Sequence, residues 1–227
     1  MPRPTPPFAG RRVVVTAGGT REPIDAVRYL SNRSSGRMGN AIALAAAERG
    51  ARVTLITTVA APDHPDVTVV CVETADEMQA AVRSALAGAT VLVMAAAVAD
   101  YRVADIAPRK LKKRDSLMLD LVPTVDILGG LADDPVRRGV LVVGFAAETD
   151  DIEANALRKL AEKRLDLIVL NDVSRPDIGM GTEDNEVTVF DSDGLVAHIS
   201  RRAKTQVAGA LLDIVAGRLT GAGRVRR

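Results

Sequence analysis

Short, unbroken apolar runs alternate along this chain with stretches whose apolar residues recur at helical spacing. The runs at 12–16, 51–58, 67–72, 90–96, 140–147 and 166–170 are apolar on both faces, as strands of a parallel sheet covered on both sides are. Helical spacing over 36–49, 74–87 and 151–163 predicts a helix after the first, third and fifth of these strands. Thr74 is placed to cap the second helix with Glu77 in the capping-box position, and Gly50 suits the C′ position of the first. The alanines at 41, 43, 45, 46 and 47 give that first helix a small face for close approach to the sheet. Later the period changes: 186–190 and 195–199 alternate around Asp191-Ser192-Asp193-Gly194, a hairpin signal, and a last helix covers 200–218. The pattern predicts an α/β class protein: a Rossmann-like, mostly parallel sheet flanked by helices, with a C-terminal β-hairpin and helix.

Three segments stand outside this alternation. Residues 1–10, MPRPTPPFAG, are proline-rich and read as a linker or disordered lead-in. Residues 98–116 are too polar for a core element and too long for an ordinary connector, and so predict a long flap. A short strand at 117–121 and a short helix at 124–131 follow it, and 171–185 reads as loop. The domain organisation is then one domain over 11–218, with a basic tail at 219–227.

The stretch from Thr16 to Gly39, TAGGTREPIDAVRYLSNRSSGRMG, holds the densest chemistry. Gly18 and Gly19 directly follow the first strand, and Gly36 and Gly39 stand at the start of the first helix. Glycine admits close approach of a ligand to main-chain N–H groups, and a helix start adds unpaired donors. Gly18, Gly19, Ser34, Ser35 and Gly36 are therefore the expected phosphate cradle. No GxxxxGK[ST] and no compact GxGxxG is present. A polar insert carrying Arg21, Glu22, Asp25, Arg28, Asn32 and Arg33 separates the two glycine clusters instead.

Composition narrows the classes. Aromatic residues make up 2% of the chain and tryptophan is absent, which counts against a base-stacking nucleic-acid surface. A net charge of +1 offers no global field for nucleic acid or membrane. The single cysteine, Cys71, excludes an internal disulfide and a cysteine-based zinc site, and its strand context predicts a buried thiol. His64 and His198 lack ligand-like spacing, so no protein metal site is expected. No apolar run reaches the roughly eighteen residues of a membrane span, and the N-terminus has no signal-peptide core, which predicts a soluble, cytoplasmic protein.

In an open α/β sheet, ligands bind beyond the C-terminal strand ends. Those ends are Gly18-Gly19, Ala95-Ala96-Ala97 with Asp100, Gly144-Phe145 through Glu148, and Asn171-Asp172. The flap leaves one of them carrying Arg109, Lys110, Lys112, Lys113 and Arg114, a cation run suited to closing over anions. A nicotinamide enzyme would need an acidic residue, or an arginine, at the end of the second strand, where Ile56-Thr57-Thr58 stands. Nucleotidyl or phosphoryl transfer fits better than hydride transfer, and a nucleotide-binding sensor module without turnover is the alternative.

With these motifs in view, the chain resembles bacterial phosphopantothenoylcysteine synthetases. The matching stretches are TAGGTREPIDAVRYLSNRSSGRMG, AAAVADYRVADIAPRKLKK, VGFAAETDD and DLIVLNDVS, in family order. The resemblance implies a CTP-dependent ligase of coenzyme A biosynthesis that joins 4'-phosphopantothenate to L-cysteine through an acyl-cytidylate. It implies catalytic roles for Asn32 and for the flap's Lys110, and substrate contacts for Arg28, Asn32 and Ala96. Ala95, Ala96, Asp100, Lys110, Asp126, Ile127, Phe145, Lys159 and Lys163 match nucleotide-site positions. The segment Thr124-Val125-Asp126-Ile127 departs from the NPDI-like sequence usual there. The resemblance further implies Mg²⁺ held mainly by CTP phosphates, and a homodimer in which one subunit's flap covers its neighbour's site. It also implies, in bifunctional members, fusion to a flavin-dependent decarboxylase.

Overall fold

The structure, a computed structural model, describes residues 5–148, 152–172 and 182–221. Expectations for residues 1–4, most of the 171–185 loop and the tail beyond residue 221 lie outside the described residues. The first strand, β1 (Arg12–Ala17), lies inside an eight-stranded sheet. On one side it pairs in parallel with β4 (Arg52–Thr57), which pairs with β5 (Val67–Cys71) at the sheet edge. On the other side it pairs in parallel with β6 (Val91–Met94), followed by β9 (Leu141–Glu148) and β10 (Leu167–Asp172). The antiparallel strands β11 (Asp184–Asp191) and β12 (Gly194–Ala203) extend the sheet to its other edge. The doubly wound, mostly parallel arrangement expected from the pattern is present, and its switch point lies between β1 and β6.

Two apolar clusters cover the sheet. On one face, α1 (Arg37–Glu48) and α5 (Lys204–Leu219) pack over Val13, Val15, Leu55 and Val169. On the other, α2 (Ala75–Ala85), α3 (Ile127–Leu131) and α4 (Ile152–Glu162) cover Val14, Ile56, Leu92 and Ile168. Thr74 and Glu77 form the predicted capping box of α2, and Gly50 takes φ 91° after α1. Gly39 lets α1 approach β1 closely, since a Cβ there would stand 2.6 Å from both Ala17 Cβ and the Thr16 carbonyl oxygen.

Several expectations need correction. The lead-in is partly inside the fold: Phe8 is fully buried, and its N–H donates to the Arg49 carbonyl. One large aromatic side chain fills the gap left by the alanine-rich α1, outweighing the prolines around it. Cys71 is exposed, because β5 is an edge strand with one open side. Residues 200–203 continue β12 before α5 begins.

The polar insert and the flap also contain regular structure. β2 (Arg21–Pro23) and β3 (Tyr29–Ser31) form a small antiparallel hairpin. Within the flap, β7 (Tyr101–Val103) pairs with β8 (Leu121–Pro123), so the strand expected at 117–121 lies later in the chain. The helix expected at 124–131 is only its second half, because Asp126 caps α3 through a bond from the Gly129 N–H.

Candidate functional site

A cavity of about 410 Å³ opens at the switch point. Its walls are the start of α1, the turn after β6, the end of β9, Asn171 on β10, the 124–128 segment and the C-terminal part of α4. Four basic side chains (Arg37, Lys159, Lys163 and Lys204) face two carboxylates (Asp100 and Asp126) on these walls. Such an imbalance in a concave site favours an anionic ligand.

Gly36 makes the α1 side possible. It is the N-cap of α1 with φ 73°, and no side chain caps the helix, a kind of helix start suited to an anion. Ser34, Ser35 and Gly36 line the cavity there. Asn32 stands beside them with its amide oriented from behind, its Nδ2 donating to the Val98 carbonyl at 3.0 Å. Thr16 joins the two strands of the switch point, its Oγ1 accepting the Ala96 N–H at 3.0 Å.

On the opposite wall, Lys163 pairs with Asp126 at 3.0 Å. Burial works to raise the Asp126 pKa, but the Gly129 N–H and Lys163 outweigh it and hold the carboxyl below its ordinary range. Lys159 and Lys163, one helical turn apart, both line the cavity, as do Ala95, Ala96, Asp100, Ile127 and Phe145. The structure therefore brings twelve of the predicted residues onto one cavity: Asn32, Ser34, Ser35, Gly36, Ala95, Ala96, Asp100, Asp126, Ile127, Phe145, Lys159 and Lys163.

Four predicted residues are not among its walls. Gly18 and Gly19 are buried behind the cradle: a Cβ on Gly18 would stand 2.2 Å from Thr58 Oγ1, and one on Gly19 2.8 Å from the Asn32 carbonyl oxygen. The Gly19 carbonyl accepts the Thr58 hydroxyl at 2.7 Å, and the Gly18 carbonyl accepts the Ala97 N–H at 2.8 Å. These glycines permit close packing of the strand ends. Arg28 and Lys110 also lie away from it, on the layer formed by the β2–β3 hairpin and the flap.

Two wall cations escaped the sequence reading. Lys204, the first residue of α5, is buried, and its Nζ donates to the Thr182 carbonyl at 2.6 Å. Burial, then the nearby Arg37 charge, push its pKa below the ordinary lysine value, with Glu183 opposing. Arg37 pairs with Glu183 at 3.1 Å. Only strand order joins them, since no local motif links residue 37 to residue 204. Asn171, already noted as a strand end, lines the cavity with a buried Oδ1 that has no hydrogen-bond partner.

Comparison with known proteins agrees with this fold. The family model described as DNA/pantothenate metabolism flavoprotein C-terminal domain matches residues 8–219. The Coenzyme A biosynthesis bifunctional protein CoaBC of Escherichia coli (strain K12) is 48% identical over 187 residues, covering 80% of this chain and 46% of that protein. Its namesake in Bacillus subtilis (strain 168) is 42% identical over 213 residues, covering 92% of this chain and 52% of that protein. The chain thus spans about half the length of the curated relatives it matches. A crystal structure of the C-terminal domain of a CoaBC protein superposes with a TM-score of 0.80 at 36% identity, covering 95% of this chain and 99% of that one.

Proposed function

The chain belongs to the DNA/pantothenate metabolism flavoprotein C-terminal domain family, and on that premise we propose that it is a CTP-dependent phosphopantothenate–cysteine ligase of coenzyme A biosynthesis. The observation that carries this reading is the cavity at the switch point. On it meet the uncapped start of α1, the oriented Asn32 amide and the Lys159, Lys163 and Asp126 group.

The chemistry follows from what a carboxylate lacks. It is a poor acyl donor, so the 4'-phosphopantothenate carboxylate first attacks the α-phosphorus of CTP. A new P–O bond forms, the bond to the bridging oxygen breaks and pyrophosphate leaves. The α1 N–H groups and the wall cations hold the triphosphate, while Lys110 on the flap offsets the charge that develops at the α-phosphoryl group. The cysteine amine then attacks the acyl carbon of the mixed anhydride, loses a proton and expels CMP. The Asn32 amide donates to the oxyanion of that tetrahedral intermediate, its direction set by the Val98 carbonyl.

Among the described residues no group of three or more His, Cys, Asp or Glu side chains could hold a metal. Mg²⁺ keeps phosphate and water ligands and needs few from protein. Asp100, exposed on the cavity wall, is a carboxylate that could hold the ion from the protein side. Bound there, the ion would supply charge neutralisation at the triphosphate oxygens.

The reading includes a cytoplasmic homodimer, fused in longer relatives to a flavin-dependent decarboxylase. Two features support the dimer. Arg28 and Lys110 do not line the chain's own cavity, and the layer that carries them exposes Val27, Tyr29, Tyr101, Ile106, Leu117 and Met118. A cluster of this kind is a surface for covering, and a second copy would bring its flap to the neighbour's cavity.

The test is pyrophosphate release with each of four nucleoside triphosphates, with and without 4'-phosphopantothenate and cysteine. Release that needs both CTP and 4'-phosphopantothenate is expected. Tight CTP binding without release would favour a nucleotide sensor module instead.

A further inference from the structure

Arg28 and Lys110 stand apart from the cavity, yet they are fastened to each other through Asp25. Asp25 is buried in the turn between β2 and β3, and its two carboxylate oxygens do separate work. Oδ1 accepts the Val27 and Arg28 N–H groups, both at 2.9 Å, and so closes the turn. Oδ2 accepts Arg28 Nε at 3.0 Å and Nη2 at 2.5 Å, and also the Leu111 N–H at 3.0 Å. Arg28 Nη2 then donates to the Leu111 carbonyl at 3.1 Å, closing a ring of bonds between the hairpin and the flap. A second backbone bond, Ala107 N–H to the Ile24 carbonyl at 3.0 Å, runs beside it. Lys110 therefore sits immediately before the point where the flap is tied down.

A buried carboxylate is costly unless its oxygens are fully engaged, and here every bond it accepts is a donor from the hairpin or the flap. The Arg28 guanidinium, followed by the Leu111 N–H, holds the carboxyl far below its ordinary value of 3.8, so the bonds persist at any working pH. We propose that Asp25 is a positioning residue for the reaction. Its Oδ2 holds the Arg28 guanidinium and the Lys110–Leu111 backbone as one unit, and both cations are presented to the anionic reactants together. A lysine on an unanchored loop would spend most of its time elsewhere, and a misplacement of about 1 Å can cost about 10²-fold in rate. Because Arg28 Nη2 bridges Asp25 and Leu111, an anion that draws Arg28 also acts on the backbone carrying Lys110. This inference rests on the ligase reading for the role of Lys110.

Asp25→Asn separates the two oxygens. The retained Oδ1 can still close the turn, but the amide nitrogen in place of Oδ2 meets three N–H donors and accepts none. Pyrophosphate release should fall about 10–100-fold in kcat, with KM for CTP nearly unchanged because the cavity walls are untouched. Combined with Lys110→Gln, the loss should fall well short of the product of the two single losses, since one of the two cations being positioned is already gone. Amide hydrogen exchange at Leu111 should accelerate in Asp25→Asn at unchanged global stability. A wild-type rate in Asp25→Asn, losses that multiply in the double variant, or unchanged Leu111 exchange would overturn the proposal. Should Asp25→Asn fail to fold, Asp25→Ser keeps a hydroxyl for the turn, too short for Leu111, and carries the same expectations. If the unmodified protein releases no pyrophosphate from CTP, the ligase reading fails, and Leu111 exchange still reports on the Asp25 tie.

Discussion

The cavity wall and the flap layer sit side by side but are held together by different physics. In the wall, backbones pack so closely that side chains are excluded. A Cβ on Gly36 would stand 2.3 Å from Val59 Cγ2, and buried hydroxyls stitch distant strands together, as Thr20 Oγ1 does in accepting the Ala99 N–H at 2.9 Å. The flap layer consists of two two-stranded sheets with exposed apolar side chains, tied to each other through the Asp25 carboxylate and the Ala107–Ile24 backbone bond. A two-stranded ribbon is marginal by itself, so such a layer opens more readily than the closely packed wall. The difference assigns tasks. A rigid wall suits ground-state binding of the nucleotide, and a movable layer suits charges needed only as bonds break.

Substitutions on the two sides should therefore fail differently, and the largest failure belongs to the flap. Lys110→Gln should lower pyrophosphate release by at least ~10²–10³-fold while CTP affinity in titration calorimetry stays near wild type. A wild-type rate would remove Lys110 from the mechanism and erase the contrast. Asn32 lies where the two regions meet. Asn32→Asp should cost ~10²–10³-fold in amide formation, because the new carboxylate can donate neither to an oxyanion nor to the Val98 carbonyl. Mass spectrometry of quenched mixtures should then find acyl-cytidylate accumulating, and its absence together with lost pyrophosphate release would move Asn32 to the activation step.

Gly36→Ala tests the wall. Holding a left-handed conformation costs alanine about 1–2 kcal/mol, and the added methyl meets Val59. Thermal melting should register the loss, CTP binding should weaken, and kcat at saturating CTP should change little. Adding Val59→Ala should restore only the part due to the contact. Unchanged CTP binding by folded Gly36→Ala would disconnect the α1 start from the nucleotide.

The smallest effect expected is the acid sensitivity of the Asp25 tie. A carboxyl whose pKa is depressed by folding adds stability that is complete above its unfolded value, here 3.8, and is lost as pH falls toward the folded value. Leu111 amide protection, corrected for intrinsic exchange, should thus be flat from neutral pH to about 4 and decline below that. Protection lost at higher pH would mean that another group holds the flap.

Much of the architecture was determined by local sequence alone. Apolar runs of strand length, separated by stretches of helical period, led to the parallel sheet. Thr74 with Glu77 marked the start of α2, and the spacing of Lys159 and Lys163 already set both on one helix face. These signals are legible because each depends on residues within a turn or two of one another. The contacts that complete the site are not of that kind. Gly18 and Gly19 are hemmed in by Thr58, Ala97 and Asn32 only because β1 pairs with β4 and with β6 and the insert returns Asn32 beside them. Cys71 looked buried until strand order left β5 at an edge, and Phe8 looked free until it packed among the core residues beside α1. Lys204 reaches the cavity only because β10, β11 and β12 extend the sheet and return α5 beside α1. Asp25 reaches Leu111 only because the hairpin and the flap fold onto each other. Periodicity and capping are properties of neighbouring residues, whereas burial, pairing and the meeting of distant charges depend on which surfaces the completed sheet leaves open.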